Sequence, residues 1–549
     1  MITLASLATG LALLSFGWSV LALVERLCGT RERGRIERLA LALLLGLGLG
    51  TALWTGLVIV LGPPSTTTTR LVLGAAALCG LPALARLRLT DRPRPEPWRP
   101  SQWLLLVGTG WFLLFSQLYA STLPMHLFDP IYHFSYKGKL VHEEGFGTPS
   151  WMVLPDELAE HDSVGRPITH PNYPPGIPAL HAIVAGAGDG YDDDATRSLM
   201  GLFVLASAGV IWSTLRPRGR TPALFATFVW CSLPLLYYSR LPHKYISWTV
   251  EESEFVQSLA FHPLEIGRSI LALWIGPTDL TPGARRPDGW TLDGAADLPV
   301  AALLLGACVC LWRRLPGSRV ESDRADTWIG GALLGAAALA KNEGLALAAL
   351  TLVAFAGVGL WSSILSRRGS VLETWRELAL AALAFAVVIA PWMSIRGAIP
   401  SIDEDYPRAI AAILGLGEPP PGAGVTNNTP TDLAGAWSRV PVVLAGFGYS
   451  FLHVLRWNLT WIGFVVLVGF WMLRRPTGLA RHPMLPLIAL VIASVAAYAV
   501  ILVVTPWDLA LLYGTTIPGR LILHVAPLAI LCTAGLAWST RAERGEHGS

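Results

Sequence analysis

Long apolar stretches alternate with polar loops along almost the whole chain. Most of these stretches have about 17–25 residues, the helix length that crosses roughly 30 Å of hydrocarbon. The pattern predicts spans at residues 2–24, 38–61, 71–87, 102–122, 197–215, 221–238, 297–312, 328–340, 344–361, 377–394, 459–473, 483–504 and 517–538. We therefore expect an all-α polytopic membrane protein with about 13 transmembrane helices.

Composition supports this class and excludes others. Of the 549 residues, 53% are apolar and 14% are charged, whereas soluble proteins have roughly a quarter charged residues. A large soluble helical protein is therefore a poor fit. The chain contains neither a P-loop nor a glycine-rich dinucleotide motif, so no nucleotide is expected as a partner. No nucleic acid is expected as a partner either.

Arginine clusters follow alternate spans and predict the orientation. They lie within residues 26–38, 86–99, 216–220, 313–314, 367–368, 474–481 and 541–544. Such clusters remain in the cytoplasm. The long loops 123–196, 239–296 and 395–458 then face outward, carrying short interfacial helices, and the N-terminus lies outside. We expect a bacterial plasma-membrane protein of the cell envelope, with its active site on the outer face.

A linker rich in proline and arginine at residues 82–101 suggests a boundary. We interpret residues 1–100 as an N-terminal three-span module with its cytoplasmic linker, and 101–540 as the catalytic membrane domain. Residues 541–549 form a cytoplasmic tail.

The first outer loop contains the strongest candidate for catalysis. Asp129 follows a span closely, and Pro130 biases it towards an extended backbone. It would act as a general base on an attacking hydroxyl, or alternatively cap an interfacial helix. His133, four residues later, would share its helix face. Glu143 and Glu144 would assist it or bind metal, or form a solvated pair.

The same loop continues into HPNYPPGIPALH, in which prolines fix the backbone. This segment could hold His170 and Tyr173 against the membrane face, or be a helix entry with a packed tyrosine. In the second outer loop, Asp297 stands where a span begins. An acid there stabilises the helix N-terminus whether or not it has another function.

Two cations could bind an anion at the outer face. Residues 328–361 are broken by Lys341-Asn342-Glu343-Gly344, and one continuous helix would bury Lys341 and Glu343 at high cost. Two short helices meeting at this turn avoid that cost, with Lys341 and Glu343 lining a site or merely capping a hairpin. Arg520 begins the last span, where it either binds a lipid phosphate or extends to the interface. Together Lys341 and Arg520 would hold a leaving phosphate or diphosphate.

Several segments in this order resemble the GT-C membrane glycosyltransferases, the group containing protein O-mannosyltransferases and bacterial aminoarabinose transferases. They are FDPIYHFSYKGKLVHEEG, HPNYPPGIPAL, GAADLPVAALLLG, ALAKNEGLALAAL and GRLILHVAP, spread over roughly residues 102–540. The resemblance implies a GT-C-like fold, a polyprenyl-phosphate sugar donor and an inverting transfer. It also implies Asp129 as base and Lys341 and Arg520 as donor-phosphate contacts. One departure is that three spans precede the one leading to Asp129, whereas the catalytic loop usually follows the first span.

The expected function is thus transfer of a hexose or pentose from a lipid-phosphate donor to a hydroxyl of a lipid, glycan or protein. The alternatives are a polytopic transporter or flippase, and a surface-glycan polymerase or ligase using lipid-linked substrates. No residue spacing defines a metal site, so a divalent metal is left open and no cofactor is assigned. The expected partners are the donor, the acceptor and membrane lipids.

Overall fold

The structure is a computed structural model that describes most of the chain. It covers residues 3–28, 33–85, 97–122, 129–146, 173–188, 190–237, 292, 295–315, 324–366, 371–399, 406–418, 430, 432–452, 454–474, 482–505 and 516–545. This described part is helical and contains no strand.

The helices are numbered in chain order. They are α1 (Leu4–Cys28), α2 (Arg35–Leu61), α3 (Thr66–Ala85), α4 (Pro100–Thr122), α5 (Tyr136–Glu143), α6 (Gly176–Ala187), α7 (Asp193–Arg197), α8 (Met200–Leu215), α9 (Arg220–Cys231), α10 (Asp297–Arg314), α11 (Arg324–Ala340), α12 (Asn342–Ser366), α13 (Val371–Arg396), α14 (Tyr406–Ile413), α15 (Leu433–Leu452), α16 (Val454–Trp457), α17 (Thr460–Arg474), α18 (Leu485–Val504), α19 (Thr516–Leu523) and α20 (Ala526–Gly545). A π-helix at Asp129–Ser135 runs directly into α5, and 3₁₀ turns lie at Arg216–Arg218 and Pro234–Leu236.

Seven described helical segments are long and apolar enough to cross a membrane. They lie at Leu4–Cys28, Arg35–Leu61, Pro100–Thr122, Asp193–Arg218, Asn342–Leu360, Val371–Arg396 and Leu485–Val504. The bent pair α19–α20 makes an eighth if it is one span. The all-helical membrane class is confirmed, but the count of about thirteen is not. Helices also occupy the other predicted spans, although their described parts are shorter than 18 residues or carry more charge.

The first two helices pack tightly on each other and on the rest of the protein. A Cβ atom on Gly17 would lie 1.8 Å from the Ala42 carbonyl oxygen, and one on Gly46 would lie 1.9 Å from that of Leu13. Small residues of this kind let membrane helices approach closely. Helix α2 also contacts α6, α8 and α11. The separate role expected for residues 1–100 stays a prediction.

A buried ionic network closes one end of the bundle, here called the Arg33 end. Arg33 donates to Glu25 at 2.5 Å and to Asp326 at 2.9 Å, while Arg313 donates to Glu37 at 2.5 Å. These bonds join the start of α2 and the end of α1 to α10 and α11. The arginines whose placement predicts the orientation therefore also connect helices.

The predicted break at the Lys341–Gly344 turn is confirmed and is narrower than expected. Helix α11 ends at Ala340 and α12 begins at Asn342, so Lys341 alone separates them. A Cβ atom on Gly344 would lie 1.9 Å from the Ala337 carbonyl oxygen, which shows how tightly the hairpin closes. Asp326 begins this hairpin at the Arg33 end, so Lys341 lies at the opposite end, here called the Asp297 end.

Candidate functional site

Three side chains converge on the carboxylate of Asp297, the first residue of α10. Lys341 Nζ lies 2.8 Å from Oδ1, and Arg520 Nε donates to Oδ2 at 2.7 Å. His524 Nε2 lies 3.1 Å from Oδ1. The carboxylate is buried, and burying a charge is costly unless it is paired and hydrogen-bonded. Asp297 therefore connects three helix ends through charge-assisted hydrogen bonds.

Tyr498 extends this network and fixes the histidine tautomer. Its hydroxyl lies 2.6 Å from His524 Nδ1, and both side chains are buried. A tyrosine hydroxyl can donate to Nδ1, whereas an ionised carboxylate can only accept. In the neutral imidazole, Nε2 therefore carries the proton and donates to Asp297. The result is a directed chain from Tyr498 through His524 to Asp297.

The Lys341 ammonium joins two acids. It lies 2.8 Å from Glu343 Oε1 as well as 2.8 Å from Asp297. Two buried acceptors beside it, Glu343 Oε2 and Asn342 Oδ1, make no hydrogen bond within the described part of the protein. Such atoms are normally satisfied by a protein group, a water or a ligand. The turn therefore presents hydrogen-bond acceptors next to a cation.

Breaks in two membrane helices place these polar groups. Lys341 separates α11 from α12, and His524 lies where α19 and α20 meet at an angle of 57°. Irregular backbone at membrane depth is tolerated only where it is enclosed in protein or lines a cavity. Side-chain exposure is 15% for Arg520 and 20% for Glu343, higher than for the other members. The side of the cluster formed by Arg520 and Glu343 is thus more exposed than the rest.

The first loop supplies a second polar group through the π-helix. Asp129 opens this helix, and His133 and Lys137 follow at four-residue intervals. The His133 ring centroid lies 5.7 Å from that of Tyr173, and Lys137 Nζ lies 5.5 Å from the Tyr173 ring centroid. Isolated π-helical turns often mark functional sites. Tyr173 therefore packs against both basic residues of this segment.

Burial sets the acidity of Lys137. The side chain is fully enclosed, and this desolvation lowers the pKa of its ammonium from 10.5 to about 7. Burial disfavours the charged form of a lysine. The Lys137 ammonium therefore loses its proton at a lower pH than that of an exposed lysine.

The two polar groups adjoin each other at the Asp297 end. A Cβ atom on Gly176 would lie 2.6 Å from the Leu339 carbonyl oxygen and 3.1 Å from the Ala340 nitrogen. The start of α6, three residues after Tyr173, is thus pressed against the end of α11 beside Lys341. Helix α6 also packs against the π-helix and α5.

The predicted site residues fall into three sets. Lys341, Arg520, Asp297 and Glu343 belong to one connected cluster, and His133 and Tyr173 lie together beside it. Glu143 and Glu144 lie at the exposed end of α5. The Asp129 side chain and all of His170 are outside the described residues. In the described part of the chain, no group of three His, Cys, Asp or Glu side chains is placed to hold a metal ion.

Three residues of these groups escaped the sequence analysis: His524, Tyr498 and Lys137. His524 lies four residues after Arg520, and Lys137 lies four residues after His133. That spacing places both pairs on shared helix faces and was the available signal. Tyr498 lies within a long apolar run and carried no comparable signal.

The chain matches no protein-family model, no curated protein and no solved structure.

Proposed function

We propose that this protein is an inverting glycosyltransferase that moves a sugar from a polyprenyl-phosphate donor to a hydroxyl acceptor. The observation that carries the proposal is the convergence of Lys341 and Arg520 on Asp297 at one end of the helix bundle. Two cations held rigidly beside the lipid bilayer suit the phosphate of a membrane-anchored donor. The segment order that resembles the GT-C enzymes supports the same function.

Lys341 and Arg520 can bind a phosphate while they remain bonded to Asp297. An ammonium has three N–H donors, of which Lys341 directs two at Asp297 and Glu343. Arg520 bonds to Asp297 through Nε, and the planar fork of a guanidinium matches the geometry of a phosphate. The formal charges of the two cations and the two acids cancel. Phosphate recognition would therefore depend on directed donors more than on net charge.

The chemical step is a direct displacement. The acceptor oxygen forms a bond to the anomeric carbon as the bond from that carbon to the phosphate oxygen breaks. The phosphate leaves with the bonding electrons and is stabilised by Lys341 and Arg520, while Asp129 takes the hydroxyl proton. Because one displacement occurs without a covalent enzyme intermediate, the anomeric configuration inverts. The buried acceptors without a hydrogen-bond partner, Asn342 Oδ1 and Glu343 Oε2, suit hydroxyl groups of the sugar donor or of the acceptor.

Transfer by the purified protein tests this function. The protein in detergent receives a panel of radiolabelled polyprenyl-phosphate sugars together with membrane extract as the source of acceptor. We expect labelled product from the wild type and from Glu373→Gln, an exposed control at the Arg33 end. Asp129→Asn should bind donor without transferring sugar. Normal turnover by Asp129→Asn would refute the assigned base, and product size separates single-sugar transfer from polymerisation or ligation.

The proposed orientation places the Asp297 end outside the plasma membrane, because every arginine cluster then lies in the cytoplasm. A cysteine at Lys139, which is exposed on α5, reports the side. A membrane-impermeant maleimide should label Lys139→Cys in intact cells. Labelling only after lysis would show that the protein has the opposite orientation.

A transporter or flippase is the second candidate, and the buried network favours it. Asp297, Lys341 and His524 are buried ionisable residues at helix breaks, as in many transport pathways. Proteoliposomes containing a fluorescent polyprenyl phosphate test this function. Protein-dependent movement of the label between leaflets without sugar transfer would favour transport.

A further inference from the structure

We propose that α15 is a membrane-embedded helix whose Leu433, Trp437 and Leu444 face contacts the lipids of the leaflet at the Asp297 end. The sequence pattern placed this segment in the outer loop 395–458, where short interfacial helices were expected. The inference depends on the membrane character of the protein and not on its enzymatic activity.

The outward surface of α15 is almost entirely apolar. Trp437 is 65% exposed and Leu444 is 59% exposed, and Leu433 and Pro441 share their face. A helix on an aqueous surface carries polar and charged residues on its outward side, whereas one that is apolar all round lies in a core or a membrane. Over roughly 30 Å of helix, at 1.5 Å per residue, this face has no charge.

The one charged residue of α15 points inward and sets the depth of the helix. Arg439 is buried, and its Nη1 donates to the Thr505 carbonyl oxygen at 2.5 Å. Thr505 caps the end of α18, a membrane-spanning helix. The first half of α15 therefore lies level with the end of a transmembrane helix, which is the depth of the membrane interface.

The lipid-facing surface of the bundle continues to this level. Val500, one turn before the end of α18, is 63% exposed, as expected for a side chain in contact with acyl chains. Leu459, directly before α17, is also exposed. Helix α15 packs against α17 and α18, so its apolar face adjoins an existing lipid surface. Tryptophan at 437 suits the boundary between hydrocarbon and headgroups.

Both ends of α15 lie at the same membrane face. Arg439 is level with the end of α18, and Leu452 is followed within eight residues by Thr460, the start of α17. The helix therefore enters the leaflet without crossing the bilayer. It also contacts α19, which carries Arg520. An embedded α15 thus forms part of the wall between the Asp297 cluster and the lipid.

Spin-label accessibility tests this placement in liposomes containing the full-length protein. Single cysteines are introduced as Leu433→Cys, Trp437→Cys and Leu444→Cys in a background with Cys28 and Cys79 replaced by serine. Each carries a nitroxide, and its collision with oxygen, which concentrates in lipid, is compared with its collision with a water-soluble nickel chelate. Val500→Cys is the lipid-facing reference and Lys139→Cys the water-facing reference.

We expect the three α15 labels to behave as Val500→Cys does, with high oxygen and low nickel accessibility. Nickel accessibility matching that of Lys139→Cys would overturn the proposal. Because three separate surface positions are tested, loss of one variant to misfolding leaves the comparison intact. Protection from both reagents at all three positions would also contradict lipid contact and would indicate a protein partner on this face.

Discussion

Lys341 Nζ lies 2.8 Å from Asp297 Oδ1, although 44 residues separate the two along the chain. The contact joins the start of α10 to the break between α11 and α12. Arg520 reaches the same carboxylate from 223 residues away. A buried pair of this kind is worth less for stability than it costs to break, because removing one partner leaves the others buried and uncompensated.

Replacing Asp297 should therefore be strongly destabilising. Asp297→Asn keeps the shape of the side chain but leaves Lys341 and Arg520 without their shared counter-charge, at a cost of about 3–5 kcal/mol. We expect a clear fall in the thermal midpoint of the purified protein in detergent. Glu343→Gln removes a more exposed partner and should cause a smaller fall. A midpoint for Asp297→Asn equal to the wild-type value would show that the carboxylate does not hold the cluster together.

Replacing Tyr498, which is hydrogen-bonded to Asp297 through His524, should reduce stability by a smaller amount, and this loss should depend on Asp297. Tyr498→Phe removes one hydrogen bond to His524 and should cost about 1 kcal/mol. Because His524 links the two residues, the double variant Tyr498→Phe/Asp297→Asn should lose less than the sum of the single losses. Thermal midpoints of the four proteins measure this coupling. Strict additivity would contradict a connected Tyr498–His524–Asp297 chain.

Lys137 should make stability depend on pH. Its pKa is about 7 in the folded protein and near 10.5 when exposed, so between these values the unfolded chain binds more protons. Its contribution to stability therefore rises as pH increases from 7 to 10.5, and is least favourable below pH 7. Lys137→Met should raise the thermal midpoint more at pH 6 than at pH 9. Lys139→Met, an exposed neighbour, should leave the pH profile unchanged.

An equal effect of Lys137→Met at both pH values would show that Lys137 does not titrate in this window.

The stability of the Arg33 end should depend on Arg33 itself. Arg33→Met leaves the carboxylates of Glu25 and Asp326 buried without this donor, again at about 3–5 kcal/mol. Loss of monodisperse protein on size-exclusion chromatography at moderate temperature would report the effect. Arg35→Met, an exposed change two residues later, is the matched control. Equal behaviour of the two variants would mean that the inner network is dispensable.

The sequence predicted the helix break at Lys341 because its cause is local. A continuous apolar helix would bury the charges of Lys341 and Glu343. It also grouped Lys341 with Arg520 as contacts to a donor phosphate, a function that stays a prediction. It did not predict that Asp297 holds both, since partner choice across 44 and 223 residues depends on helix packing rather than on local pattern. His524 was missed for a related reason, because one histidine in an apolar run has the same local pattern as a core residue.

The π-helix at Asp129–Ser135 was also not predicted. An extra residue per turn has no distinct apolar period in a seven-residue segment, and its formation depends on packing against Tyr173 and α6. The sequence predicted short interfacial helices in the outer loop 395–458, but not a helix as long as α15, because Gly, Pro and Arg interrupt its apolar pattern. The burial of Arg439 could not be predicted either, because it depends on the contact between Arg439 and Thr505.

The proposed function requires that Lys341 and Arg520 hold the phosphate of a lipid donor. Thermal stabilisation by a polyprenyl phosphate, compared with the corresponding polyprenol, tests it most directly. A ligand at about 100 times its Kd stabilises the folded state by about 2.7 kcal/mol. We expect the phosphate to raise the midpoint of the wild type and of Lys139→Gln, the polyprenol to have little effect, and Lys341→Gln and Arg520→Gln to lose the phosphate response. Equal stabilisation by the phosphate in all four proteins would show that Lys341 and Arg520 do not bind the phosphate.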